Sequence, residues 1–172
     1  MVRTRRLMPL ALAVLLLAGC AVEPKEWASS VCAALTPWRK QIADLNAKAQ
    51  QQMASAKTPA ATQKNLVALL GGASDASEKA RKAVEDAGEP DVDQGEVIAQ
   101  KFVESLAAVR DAYGHAKADI QKLSTKDDQD FYDGVVAIIT TLNQEYASSR
   151  LDTSAITSPE LSKAFDEIPE CR

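Results

Sequence analysis

Residues 96–123, EVIAQKFVESLAAVRDAYGHAKADIQKL, decide the fold. Ala99, Phe102, Leu106, Val109, Tyr113, Ala116, Ile120 and Leu123 follow one another at alternating steps of three and four. That spacing lays a continuous apolar stripe along one side of an α-helix. No other secondary structure keeps such residues on one face for so long a run. Asp93 and Glu96 stand three apart just before the stripe, the spacing of a capping box, and predict the start of this helix.

The same reading extends in both directions. Upstream, Thr58-Pro59 predicts a helix start, with proline at the first position where its missing N–H costs nothing. Leu66, Leu69, Ala73, Ala76, Ala80, Ala83 and Ala87 form the expected inner face, and Gly88 and Pro90 end the helix. Gly71-Gly72 predicts a bend or a split within it, because each glycine weakens a helix by about 1 kcal/mol relative to alanine. Further upstream, Val31, Leu35, Trp38, Ile42, Leu45 and Ala49 define a helix over 27–54, with a kink or break expected at Pro37, where Thr36 reads as the cap of a new start. Downstream, Thr125 and Asp128 open a helix carrying Phe131, Val135, Ile138, Leu142 and Tyr146. Ser158-Pro159 starts a last short helix through Glu167, with Leu161, Ala164 and Phe165 on its apolar side. Scarce aromatic residues and abundant alanine agree with an all-α chain. Four long amphipathic helices with short connections predict an up-down-up-down antiparallel four-helix bundle over 27–172, closed by a short C-terminal helix.

The chain begins differently. Arg3, Arg5 and Arg6 precede an apolar run over 7–19, which is shorter than the roughly 20 residues a membrane span needs. A basic head, an apolar middle and small residues before a cut are the parts of a secretory signal. Leu17-Ala18-Gly19-Cys20 resembles the bacterial lipobox. That resemblance implies that residues 1–19 are removed and that Cys20 becomes the first residue, its thiol carrying a diacylglycerol. It implies export and a lipid anchor on the outer face of the cell membrane. Two acyl chains suffice for stable attachment. Residues 20–26 are then expected to be a short polar stalk, with the domain close to the membrane. Over the mature region, Trp27, Cys32, Trp38, the alanine-rich helices and Pro169-Glu170-Cys171 make the chain similar to small helical lipoproteins of actinobacteria. That likeness implies an envelope role and no particular chemistry.

Cysteine use fits export. With Cys20 assigned to lipid, Cys32 and Cys171 remain as an even pair in an oxidising compartment, and a disulfide between them is expected. Four passes of helix bring the chain back to the end where it began, so the topology and the pairing support each other.

Most chemistries find no residues to perform them. His115 is the single histidine, so the paired Glu-x-x-His motifs of a di-iron bundle are missing, and no zinc ligand set is legible. His115 flanks the stripe and reads as a solvated helix residue. Asp91 to Glu96 fails the pattern of a calcium loop at its glycine and glutamate positions. Asp127, Asp128, Asp130 and Asp133 read as acids favoured at a helix N-terminus. No nucleophile elbow or phosphate loop is present. The expectation is a non-enzyme without a cofactor. The full chain holds 20 basic and 24 acidic residues. Residues 1–19 contain three arginines and no acid, so the mature part has 17 basic against 24 acidic residues, a formal charge of −7. An acidic body argues against nucleic acid as a partner. The expected partners are the membrane, through the lipid, and an envelope protein or cell-wall component bound by a helix face.

One feature permits a second function. Ala73, Ala76 and Ala80 face helices that carry Phe102, Tyr113, Phe131 and Tyr146. Small residues opposite large ones predict close packing, or else an apolar cavity that carries or senses a small ligand. An accessory enzyme of envelope metabolism is the third reading, since helix-surface carboxylates are plentiful.

Overall fold

The structure, a computed structural model, describes residues 21–149 and 158–171. The lipobox and Cys20 lie outside the described residues. Five α-helices make up most of the described chain: α1 (Pro24–Ser55), α2 (Pro59–Asp86), α3 (Gly95–Lys122), α4 (Asp128–Ser149) and α5 (Pro159–Glu167). A 3-10 turn, Pro169–Cys171, follows α5.

Two starts follow the expected local chemistry. The Thr58 side chain accepts from the Ala61 N–H, and the Ser158 side chain accepts from the Leu161 N–H, each with proline next in sequence. Two others differ. The Asp93/Glu96 capping box does not form: the residue before α3 is Gln94, in a left-handed conformation at φ 57°, with no side-chain cap. The turn there is tight: an added Cβ on Gly95 would collide with the Pro90 carbonyl oxygen. At α4 the cap is Asp127, whose Oδ1 accepts from the Asp130 N–H at 2.9 Å, and not Thr125.

Neither expected interruption appears. α1 runs unbroken through Pro37, and α2 runs unbroken through Gly71-Gly72. Thr36, read as a cap, instead donates its hydroxyl to the Glu170 carbonyl at 2.9 Å. The glycines serve approach. A Cβ on Gly72 would lie 2.9 Å from a Leu45 methyl, so α1 sits against α2 where alanine would crowd it.

Contacts along the helices run in opposite order. Ascending α1 from Trp27 through Trp38 to Leu45, the partners on α2 descend from just beyond its end at Gly88 through Ser77 to Gly72. Gln63 near the start of α2 donates to the carbonyls of Ile120 and Leu123, both at 2.9 Å, and so satisfies the open end of α3. Farther along α2, Ser74 donates to the Arg110 carbonyl at 3.0 Å. Leu123 covers Gly134, and His115 meets Glu145 on α4.

The core is divided along this length. One cluster gathers Trp27, Val31, Ala80, Val84, Ile98, Phe102, Leu106 and Leu161, with Phe165 against it. The second gathers Leu66, Leu70, Ala112, Ala116, Ile120 and Leu142. The stripe predicted for α3 is buried except at Tyr113, midway along it, and at Leu123, its last position, which are half-buried. The stripe predicted for α2 is rotated. Leu70, Ser77 and Val84 are buried, whereas Leu69 is half-buried and Ala83 is exposed. Because α2 packs on both α1 and α3, the arc it buries is broader than one line of alanines.

The stalk expectation also fails within the described residues. Val22 packs against the first cluster, and Pro24 is already the first residue of α1. The expected polar linker is therefore part of the folded domain from Val22 onward.

Candidate functional site: the pole that gathers both chain ends

Trp27 organises one end of the molecule. Its ring is fully buried, edge-on to Phe102 with centroids 5.3 Å apart and to Phe165 at 6.1 Å. Its indole N–H donates to the Gly88 carbonyl at 2.8 Å. Gly88 adopts φ +72°, a conformation that glycine enters without penalty, and this turns the chain out of α2. Beside it, the Val22 N–H donates to the Glu89 carbonyl at 2.8 Å, and the Asp91 N–H donates to the Val22 carbonyl at 2.7 Å. The segment before α1 is thus bridged to the turn between α2 and α3.

The C-terminal segment closes the same end. Cys32 is bonded to Cys171, their Cα atoms 5.2 Å apart across a sequence separation of 139. Around the bond, Ala28, Cys32, Ala164 and Ile168 form a small buried cluster. Lys25 pairs with Glu167 at 3.1 Å, an exposed contact that draws the Glu167 carboxyl below its ordinary pKa. Between α1 and this segment lies an open cleft of about 530 Å³, flanked by Glu23, Glu26, Glu167 and Glu170 together with Ser29 and Ser30. Its carboxylates and hydroxyls face solvent.

The residues named for a ligand do not converge. Ala73, Ala76 and Ala80 are buried to within 3 % of full coverage, and Ala80 lies in the first cluster with Trp27, Val84 and Phe102. Tyr113 flanks the second cluster and meets Tyr146, with centroids 6.1 Å apart. Burial raises the Tyr113 pKa. Phe131 sits at the beginning of α4 against Tyr132. Ala76 and Ala80 also line a shallow groove of about 160 Å³ with Pro37, Trp38 and Lys79. A groove of the same size between α3 and α4 holds His115, Asp119 and Glu145. His115 is exposed and 3.3 Å from a Glu145 oxygen. Drug-sized ligands occupy sites of about 300–1,000 Å³, so each groove falls short of that scale.

The strongest electrostatic arrangement was only half legible. Glu78 pairs with Lys82 at 3.7 Å and Arg81 with Glu85 at 3.1 Å, as their i,i+4 spacing along α2 suggests, and Glu78 also holds Arg81 at 2.8 Å. Arg110 on α3 reaches the same Glu78 oxygen at 2.8 Å and also holds Asp111. Hydrogen bonds from Arg81 and Arg110 bring the Glu78 pKa down to about 2. This group ties α2 to α3. Among the described residues, no set of three or more potential ligands could hold a metal ion, and no helix is long and apolar enough to cross a membrane.

Comparison with known proteins yields no matching family, no matching curated protein and no matching solved structure.

Proposed function

We propose that this chain is an exported lipoprotein, anchored through Cys20 to the outer face of the cell membrane. Its helices run up, down, up and down in an array left open between α1 and α4, and this array serves as a non-catalytic interaction module. The observation that carries the reading is the Cys32–Cys171 bond. Stable disulfides belong to exported proteins, because cytosolic thiols are kept reduced. The lipobox-like Leu17-Ala18-Gly19-Cys20 supplies the anchor, and a diacylglycerol provides the two chains that stable attachment requires. A mature charge of −7 gives no electrostatic help in holding anionic lipid, so the thioether-linked lipid carries the attachment alone. The partner is an envelope protein or a cell-wall component met by an exposed helix face.

Cys20→Ser tests the anchor. The variant should leave the detergent phase on phase separation, whereas the unaltered protein should enter it. Equal partitioning would refute the lipoprotein reading. Crosslinking on intact cells tests the module: a specific adduct with an envelope component is expected from the anchored protein, and its absence at every exposed helix face would refute that part.

A further inference from the structure

The lipoprotein reading places a lipid on Cys20, and the structure fixes the chain two residues later. We infer that the pole formed by Val22, the turn after Gly88 and the C-terminal segment is pinned against the bilayer, with no flexible stalk, so that the opposite turns are held outermost. This inference rests on the anchoring proposed above and adds the orientation of the domain.

The argument is one of length and attachment. Only Ala21 separates Cys20 from Val22. Two residues of extended chain span at most about 7 Å. Val22 is held by backbone hydrogen bonds to both Glu89 and Asp91 and is packed on the cluster around Trp27. The turn over 88–94 therefore lies within a few ångströms of the tether's origin. From there α3 runs for 28 residues, about 42 Å at 1.5 Å per residue, before it reaches Ser124. The loop at Lys57 lies at the same far end, beyond the 32 residues of α1.

The pole does not bind lipid by charge. Glu23, Glu26, Glu89, Asp91 and Asp93 are exposed there. An anionic surface repels them, but that repulsion decays over about 8 Å at physiological ionic strength. The tether alone sets the distance, so lengthening it should release the pole.

The test uses the full lipidated chain with its native disulfide intact. A single added cysteine, Asp93→Cys at the pole or Ser124→Cys at the far end, is labelled with a fluorophore under non-reducing conditions. The protein is reconstituted in phosphatidylcholine vesicles that carry a headgroup-attached quencher. Quenching at position 93 should exceed quenching at 124 by at least threefold. Ten Gly/Ser residues inserted between Ala21 and Val22 should remove most of that difference. Protein that does not float with the vesicles would overturn the lipid reading and the pinned pole with it. Floating protein quenched equally at both positions overturns the pinned pole alone. A difference that survives the insertion also overturns it, because adhesion and not the tether would then hold the pole down.

Discussion

Single residues in this molecule are constrained chiefly by what a neighbouring helix leaves room for, and the glycines separate the cases. At Gly72 an added methyl would meet the far end of the half-buried Leu45 side chain, which can turn away. The gain in helix propensity, about 1 kcal/mol, should offset the crowding. Gly72→Ala is expected to leave the melting temperature level or slightly raised. At Gly95 the obstacle is the Pro90 backbone, which cannot move without opening the turn. Gly95→Ala should cost about 1–3 kcal/mol, as overpacking usually does. Ala80→Leu belongs with it: Ala80 is buried against Trp27, Val84 and Phe102, so the larger side chain should also cost about 1–3 kcal/mol. Denaturant titration of the three variants checks the ordering, and an Ala80→Leu protein as stable as its parent would reveal unfilled space at that face. Glu78 makes a prediction in pH. Its folded pKa of about 2 lies below the ordinary carboxylate value, so its pairing with Arg81 and Arg110 stabilises the fold at pH 5 and above. That contribution is lost as pH falls through 4 towards 2. A Glu78→Gln variant should therefore be less stable than its parent at neutral pH, and the two melting curves should converge in acid. A gap that stays constant from pH 7 to pH 2 would mean that the charge is not what matters.

At the scale of elements, the sequence made legible whatever a helix announces within itself. The step pattern of residues 96–123 matches a face buried at every position but Tyr113 and Leu123, and Thr58 and Ser158 cap as their neighbours suggest. What escaped is set by distant chain. Val22 looks like stalk until Glu89 and Asp91 are beside it. Thr36 looks like a cap until the C-terminal segment returns and the Glu170 carbonyl accepts a hydrogen bond from its hydroxyl. Ser77 is polar and was left out of the α2 face, yet it is fully buried, because its hydroxyl donates to the Ala73 carbonyl while accepting from Trp38. Alanine gives little signal of rotation, so the inner face of α2 could be recognised as apolar but not set in register. Of the candidate site, the cysteine pairing was legible from the even pair left once Cys20 is set aside, whereas the Arg110 arm of the Glu78 cluster was not. The element most dependent on that pairing is α5. It has nine residues, its buried side chains are Leu161 and Ala164, and it lies against the helix that carries Cys32. Opening the loop with Cys171→Ser should lower stability by about 2–5 kcal/mol. Amide exchange in α5 should accelerate before the rest of the domain. An unchanged melting temperature would show that packing alone holds the segment.

Across the whole molecule, burial and covalent closure are unevenly shared, and local stability should follow them. The cluster around Trp27 draws on α1, α2, α3 and α5 and sits beside the Cys32–Cys171 bond. Toward the far end the support thins. After Trp38, α1 buries only Ala49, and α4 buries Phe131, Leu142 and Ser149. Tyr132 and Val136 stand exposed on α4, Val136 at 65 %. Among the described residues, α1 and α4 make no backbone approach to each other, so neither covers the other's open side. Regions with few buried apolar contacts open at lower free-energy cost than the best-packed core. In native-state hydrogen exchange, the amides of Val31, Val84 and Leu106 should therefore exchange slowest. Those of residues 46–52 in α1 and 136–144 in α4 should exchange at least tenfold faster, through openings that leave the Trp27 end intact. Adding reductant should narrow that difference, because it removes the closure that favours the Trp27 end while leaving α4 as it was. Uniform protection along all four long helices would show a single cooperative unit in which the thinly covered far end is as firmly held as the disulfide-closed pole.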